Sequence, residues 1–131
     1  MIKRTLVPLF VLLLSMDLFA LPPVQPKVEV YYFHFTRRCT TCNNVERVAK
    51  ESVEALYPNQ VKAGEITFQS INLDEKEGEA IGKKYSIEGQ TLIVVGPTSR
   101  VDLTDKGFMY ANGNPEKLTA EIKKAVEAVK K

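Results

Sequence analysis

Val28–Cys42 reads VEVYYFHFTRRCTTC, and the fold turns on it. Its first eight residues, Val28 to Phe35, are β-branched and aromatic apart from Glu29 and His34, the composition of a strand. They lack clean alternation, which predicts a strand covered on both faces. Thr36, Arg37 and Arg38 break the run. Cys39-Thr40-Thr41-Cys42 follows at once, and beyond it the apolar residues Val45, Val48, Ala49, Val53 and Leu56 recur at helical spacing. The stretch is therefore a strand, a cysteine pair and an amphipathic helix in immediate succession.

Where the helix starts decides what the cysteines can do. A helix beginning at about Cys39 puts unpaired backbone N–H groups and the positive end of the dipole beside that sulfur. Both favour thiolate over thiol, and the thiolate is the attacking species in disulfide exchange. Cys42, one turn on and on the same side, is then the resolving partner. The alternative start lies at Asn43-Asn44-Val45-Glu46, which has the form of a capping box and would place the helix after both cysteines.

Cys39 and Cys42 are the chain's two cysteines. A bridge between residues three apart closes a very short loop and restrains little chain entropy, so the pair suits chemistry better than stapling. A zinc ribbon also uses C-x-x-C but needs a second pair of ligands, and His34 is the one histidine on offer. A soft ion such as Cu(I) or arsenite, held by Cys39 and Cys42 with His34, is the alternative function for the same residues. A hydrogen-bonded histidine in a buried strand is the simpler account of His34. Arg37 and Arg38 add positive charge beside the pair and are candidates for thiolate tuning or for steering a partner.

Outward from this core, Pro58 and Asn59 are expected to stop the helix, and Ile66 to Leu73 (ITFQSINL) reads as a second strand. Glu75 to Tyr85 is a weaker helix carrying Gly78 and Gly82. Thr91 to Val95 (TLIVV) is a short buried strand between Gly89 and Gly96-Pro97. A fourth strand is expected around Phe108 to Tyr110, after a turn near Asp105-Lys106-Gly107. Asn114 and Pro115 have the residue types of an N-cap and a first helical position. They open a last helix with Leu118, Ile122, Val126 and Val129 inward. The order reads βαβαββα.

In the other direction, Leu21 to Lys27 (LPPVQPK) is a stiff, proline-rich leader. Before it, Lys3 and Arg4, the apolar run Leu6 to Met16 and the small Ala20 have the layout of a secretory signal. The expected division is a signal peptide at 1–20, the leader at 21–27 and one domain at 28–131. The run is about half the ~20 residues of a spanning helix; its retention as an N-terminal anchor is the alternative to cleavage. Loss of Lys3, Arg4 and Asp17 takes the formal charge from +2 to +1, which argues against a nucleic-acid binder. A periplasmic or secreted location follows, in an oxidising compartment where a disulfide persists.

Tyr31 to Cys42 (YYFHFTRRCTTC), Ile71 to Asp74 (INLD), Lys84 to Ile87 (KYSI) and Thr91 to Val95 together resemble the thioredoxin superfamily, over nearly all the chain after the leader. More narrowly the chain is similar to the small exported bacterial proteins known as nitrophenyl compound nitroreductase subunit ArsF. No flavin or nicotinamide motif is visible, so nitroreduction is not carried over. The resemblance implies an α/β thioredoxin-like fold, a central four-stranded mixed sheet with helices on both faces. With the strand–CxxC–helix context, the expected function is a thiol–disulfide oxidoreductase, expected as a monomer, with no cofactor beyond a redox-active Cys39–Cys42 disulfide. The partner would be a protein thiol or disulfide, or a membrane electron donor. A non-catalytic interaction module is the third reading.

Three positions depart from the family pattern. The dipeptide between the cysteines is Thr40-Thr41 rather than Gly-Pro. Phe33 stands where the family keeps a buried aspartate. Gly89-Gln90-Thr91 replaces the cis-proline turn, leaving Gln90 and Thr91 as candidates for the segment facing the cysteines, with Gln90 expected after a trans bond.

Overall fold

A computed structural model describes residues 27–131; the expected signal segment and all of the leader but Lys27 lie outside them. Four strands, β1 (Val28–His34), β2 (Ile66–Asn72), β3 (Thr91–Val95) and β4 (Arg100–Asp102), form one sheet in the order β2-β1-β3-β4. β1 pairs parallel to β2 and antiparallel to β3, and β3 pairs antiparallel to β4. The sheet is mixed and four-stranded, as expected, and β1 is one of its two inner strands. Interior position accounts for its composition: six of its seven residues are buried, so both faces select for apolar side chains.

On one face Val28, Val30 and Tyr32 of β1 and Leu92 and Val94 of β3 pack against two long helices. These are α1 (Thr40–Leu56), through Val45, Val48, Ala49 and Val53, and α5 (Pro115–Val129), through Leu118, Ile122, Val126 and Val129. Each such side chain contributes about 1.5–3 kcal/mol on leaving water. On the other face Tyr31, Phe33 and Ile93 meet Ile71, Leu73, Ile81, Tyr85 and Ile87, much of this set belonging to α3 (Lys76–Lys84) and the turn after it. Alternation along β1 divides the two cores, even-numbered residues facing α1 and odd-numbered ones facing α3.

Asn114 caps α5 as its residue type predicts, its side chain accepting from the Lys117 N–H, with Pro115 in the first turn. Two elements differ from expectation. After α1 the chain does not simply stop at Pro58: it re-enters a short helix, α2 (Pro58–Lys62), with the proline in its first turn, where the missing N–H costs nothing.

The fourth strand is Arg100–Asp102, and Phe108–Tyr110 instead belongs to a helix, α4 (Thr104–Tyr110). Asp102 starts that helix by accepting from both the N–H and the hydroxyl of Thr104, at 2.8 and 2.6 Å. Gly107 lets it lie close on α1, since a Cβ there would sit 2.9 Å from a Val45 methyl. Phe108 and Met109 stay exposed rather than lining a strand.

Candidate redox site

β1 ends at His34, and Phe35 to Arg38 carry the chain to Cys39 and the first turn of α1. Cys39 is the N-cap, in extended conformation, and its Sγ accepts the N–H of Cys42 at 3.1 Å. The first helical bond runs from the Asn43 N–H to the Cys39 carbonyl, also 3.1 Å. The helix therefore begins at the first cysteine, not after the second. The groups of the rival capping box are used elsewhere: Asn44 bonds Asn112, and Glu46 pairs with Arg38. Cys39 and Cys42 are joined as a disulfide with Cα atoms 5.1 Å apart. Their environments differ sharply, for Cys39 is exposed and Cys42 is 3% exposed.

The approach to Cys39 is tied down from the β2 side. The Leu73 N–H donates to the His34 carbonyl at 2.7 Å. The Thr36 N–H donates to Asp74 Oδ2 at 2.7 Å, and Asn72 Nδ2 donates to the Thr36 hydroxyl at 3.1 Å. The Asp74 carboxyl is held below its ordinary range, first by that Thr36 N–H and to a lesser degree by the charge of His34. The INLD segment thus acts as the clamp on the loop that delivers the cysteines.

From the opposite side the connector between α4 and α5 reaches in. Asn112 Nδ2 donates to the Thr41 hydroxyl at 2.9 Å, and Asn112 Oδ1 accepts from Asn44 Nδ2 at 2.7 Å. One amide side chain therefore holds the first turn and a half of α1, including one of the two residues between the cysteines.

Beneath the helix start lies Tyr32, fully buried. Its hydroxyl donates to Gln90 Oε1 at 3.2 Å, and its ring stacks on His34 with centroids 6.1 Å apart. Burial, and then the nearby charge of Glu46, push the phenol up to about 12, with Arg38 pulling the other way. Tyr32 stays protonated at any physiological pH.

Gln90 is brought toward the α1 side through Tyr32. Thr91 opens β3 opposite Phe33, on the face turned to α3, with its hydroxyl donating to the Gly89 carbonyl at 2.9 Å. Phe33 sits in that same α3-side core, so the strand residue beneath α1 at this level is Tyr32. Among the described residues no peptide bond is cis.

Arg37, Arg38 and Thr40 are exposed, and the Arg38 side chain is engaged by Glu46. His34 is buried, with Nδ1 2.9 Å from the Phe35 carbonyl. It does not assemble with the two cysteines into a three-ligand cluster, and no such cluster occurs among the described residues. Three neighbours of the pair, Glu46, Asp74 and Asn112, were not singled out from sequence. Glu46 was within reach, being one helical turn beyond Cys42.

No family model matches the chain, and no curated protein sequence does. Two solved structures are similar to it. One, described as the structure of a malarial protein, is 21% identical over 76% of this chain and 98% of that one, with a TM-score of 0.47. The other, the X-ray structure of Fasciola hepatica thioredoxin, is 21% identical over 77% of this chain and 83% of that one, with a TM-score of 0.46. The chain's own topology is the firmer ground: a parallel β1–α1–β2 crossover, an antiparallel β3–β4 hairpin, helices on both faces and a bonded cysteine pair in the first turn of α1 make an α/β, thioredoxin-like fold.

Proposed function

We propose that the chain is an exported thiol–disulfide oxidoreductase that exchanges disulfides with a partner protein through Cys39 and Cys42. The carrying observation is that the exposed sulfur of the pair is also the helix cap. In the dithiol state a thiolate at Cys39 faces the unpaired N–H groups of α1, where an anion gains about 0.3–1 kcal/mol and up to ~2 when partly buried. That thiolate attacks a partner disulfide, forms the Cys39–partner bond and releases one partner thiolate. Cys42, losing its proton, then attacks Cys39 Sγ, re-forms the internal bond and releases the second partner sulfur as a thiolate. The partner gains two electrons and the pair loses two.

Export is supported by Lys3, Arg4, the apolar run after them and Ala20. A periplasmic or secreted monomer, drawing on a protein dithiol or a membrane electron donor, is the corresponding working picture.

With a suitable electron donor the wild-type chain is expected to reduce insulin disulfides. Cys39→Ser should abolish that activity, and Cys42→Ser should accumulate mixed disulfides visible on non-reducing gels. In the reduced wild-type chain, alkylation of Cys39 should have its midpoint below the free-thiol value of about 8.5. A wild type inactive with such a donor would sink the proposal.

A further inference from the structure

Arg38 and Glu46 flank the cysteine pair, one residue before it and four residues after it, and their side chains form an ion pair. The pair joins the loop to the helix across the redox centre and is not a pair along one helix face. It is also more withdrawn than its counterparts: the side chains are 27% and 22% exposed, against 55% and 62% for Arg47–Glu51. Salt screens such a pair less than a surface one.

We propose that Glu46 sets the reducing power of the disulfide by competing with the Cys39 thiolate for the Arg38 guanidinium. In the disulfide state neither sulfur carries charge, and Arg38 belongs to Glu46. Reduction by two glutathione thiols breaks the Cys39–Cys42 bond and yields a Cys39 thiolate, a Cys42 thiol, one oxidised glutathione and one proton. The new anion forms one residue from Arg38. A guanidinium has five donors in a planar fork and can serve two anions, so the cation is shared in the dithiol state and undivided in the disulfide state. Every part of it retained by Glu46 is withheld from the thiolate. Glu46 therefore favours the disulfide, and Arg38 favours the dithiol.

Arg38 and Glu46 are joined to each other, whereas the other groups near the cysteines are held elsewhere or open to solvent. From β1 come Tyr32, kept neutral by burial, and His34, bonded to the Phe35 carbonyl. Asp74 is committed to Thr36, and the α4–α5 connector offers the uncharged Asn112. Arg37 is exposed. Glu46 is the one carboxylate bonded to Arg38 among the described residues. It acts through Arg38, as a positioning residue. The inference takes from the proposed function only that Cys39 is the sulfur that becomes an anion.

The test uses the full chain as wild type, Glu46→Gln and Arg38→Met, equilibrated in glutathione buffers and alkylated over a pH series. Glu46→Gln should shift the equilibrium toward the dithiol by about threefold, or ~14 mV at 29.6 mV per tenfold, and lower the Cys39 alkylation midpoint. Arg38→Met should move both readings the other way. A merely structural role for either residue would lower the urea midpoint without separating the two signs. Should Glu46→Gln not fold, Glu46→Asp, with its shorter reach, must show a smaller shift of the same sign. No shift in Glu46→Gln, shifts of the same sign in both variants, or a reversed shift in Glu46→Asp overturns the inference. These are equilibrium readings on the pair, independent of turnover. A chain inactive on insulin that still shows the opposed shifts refutes the oxidoreductase and leaves this inference standing.

Discussion

Asp74 holds the loop ahead of the cysteines through one backbone donor, the N–H of Thr36, and this gives the site an acid-sensitive fastening. Its folded-state pKa is depressed, so its contribution is complete above the unfolded value and is lost as pH falls through the lower folded value. The Thr36 amide resonance is expected to titrate together with the Asp74 carboxyl, at a midpoint below the ordinary 3.8. A midpoint at or above that value would show that the fastening does not exist. The role of Asp74 was not legible in the sequence, because the parallel register that sets Asn72 opposite His34 is a tertiary fact. Asn112 lies 71 positions from Thr41 and carries no local signal at all. Cys39 and Cys42 were legible because their relation is local, a spacing of three at a helix start.

Helix α3 inverts an ordinary rule. Its two glycines weaken the helix by propensity, and replacing one by alanine normally gains about 1 kcal/mol. At Gly78 a Cβ would stand 1.8 Å from the Asn72 carbonyl oxygen, so the helix can rest on β2 only without one. Gly78→Ala is expected to destabilise by about 1–3 kcal/mol, read as a lower urea midpoint at unchanged slope. A gain would mean that α3 sits further from β2. The same limit explains the misplaced fourth strand. Three residues with one half-buried valine, Val101, make too short a pattern to see. Phe108-Met109-Tyr110 is a short apolar run that periodicity cannot sort into helix or strand. The helices α1 and α5 were legible because each repeats its period several times, and β1 because seven residues in a row carry strand composition.

Two cores on either side of one sheet hold the molecule together, and the disulfide adds little to them. By chain entropy a loop of four residues is worth about 2 kcal/mol, and the Cys39 thiolate of the proposed function would offset part of this on reduction. Urea unfolding with and without reductant should therefore differ by less than about 2 kcal/mol; a larger gap would make the bridge a structural staple. The fold class was readable because hydrophobic burial follows patterns that many residues share, whereas the site's polar contacts each depend on a pair brought together by the finished fold. One sulfur lies open to water and the other is sealed beneath the first turn of α1. In thiol–disulfide exchange the incoming, central and departing sulfurs lie close to a line. A reagent arriving from solvent thus drives along an axis that points inward, and the atom it displaces recoils into the protein. The departing group is already indoors when the bond breaks.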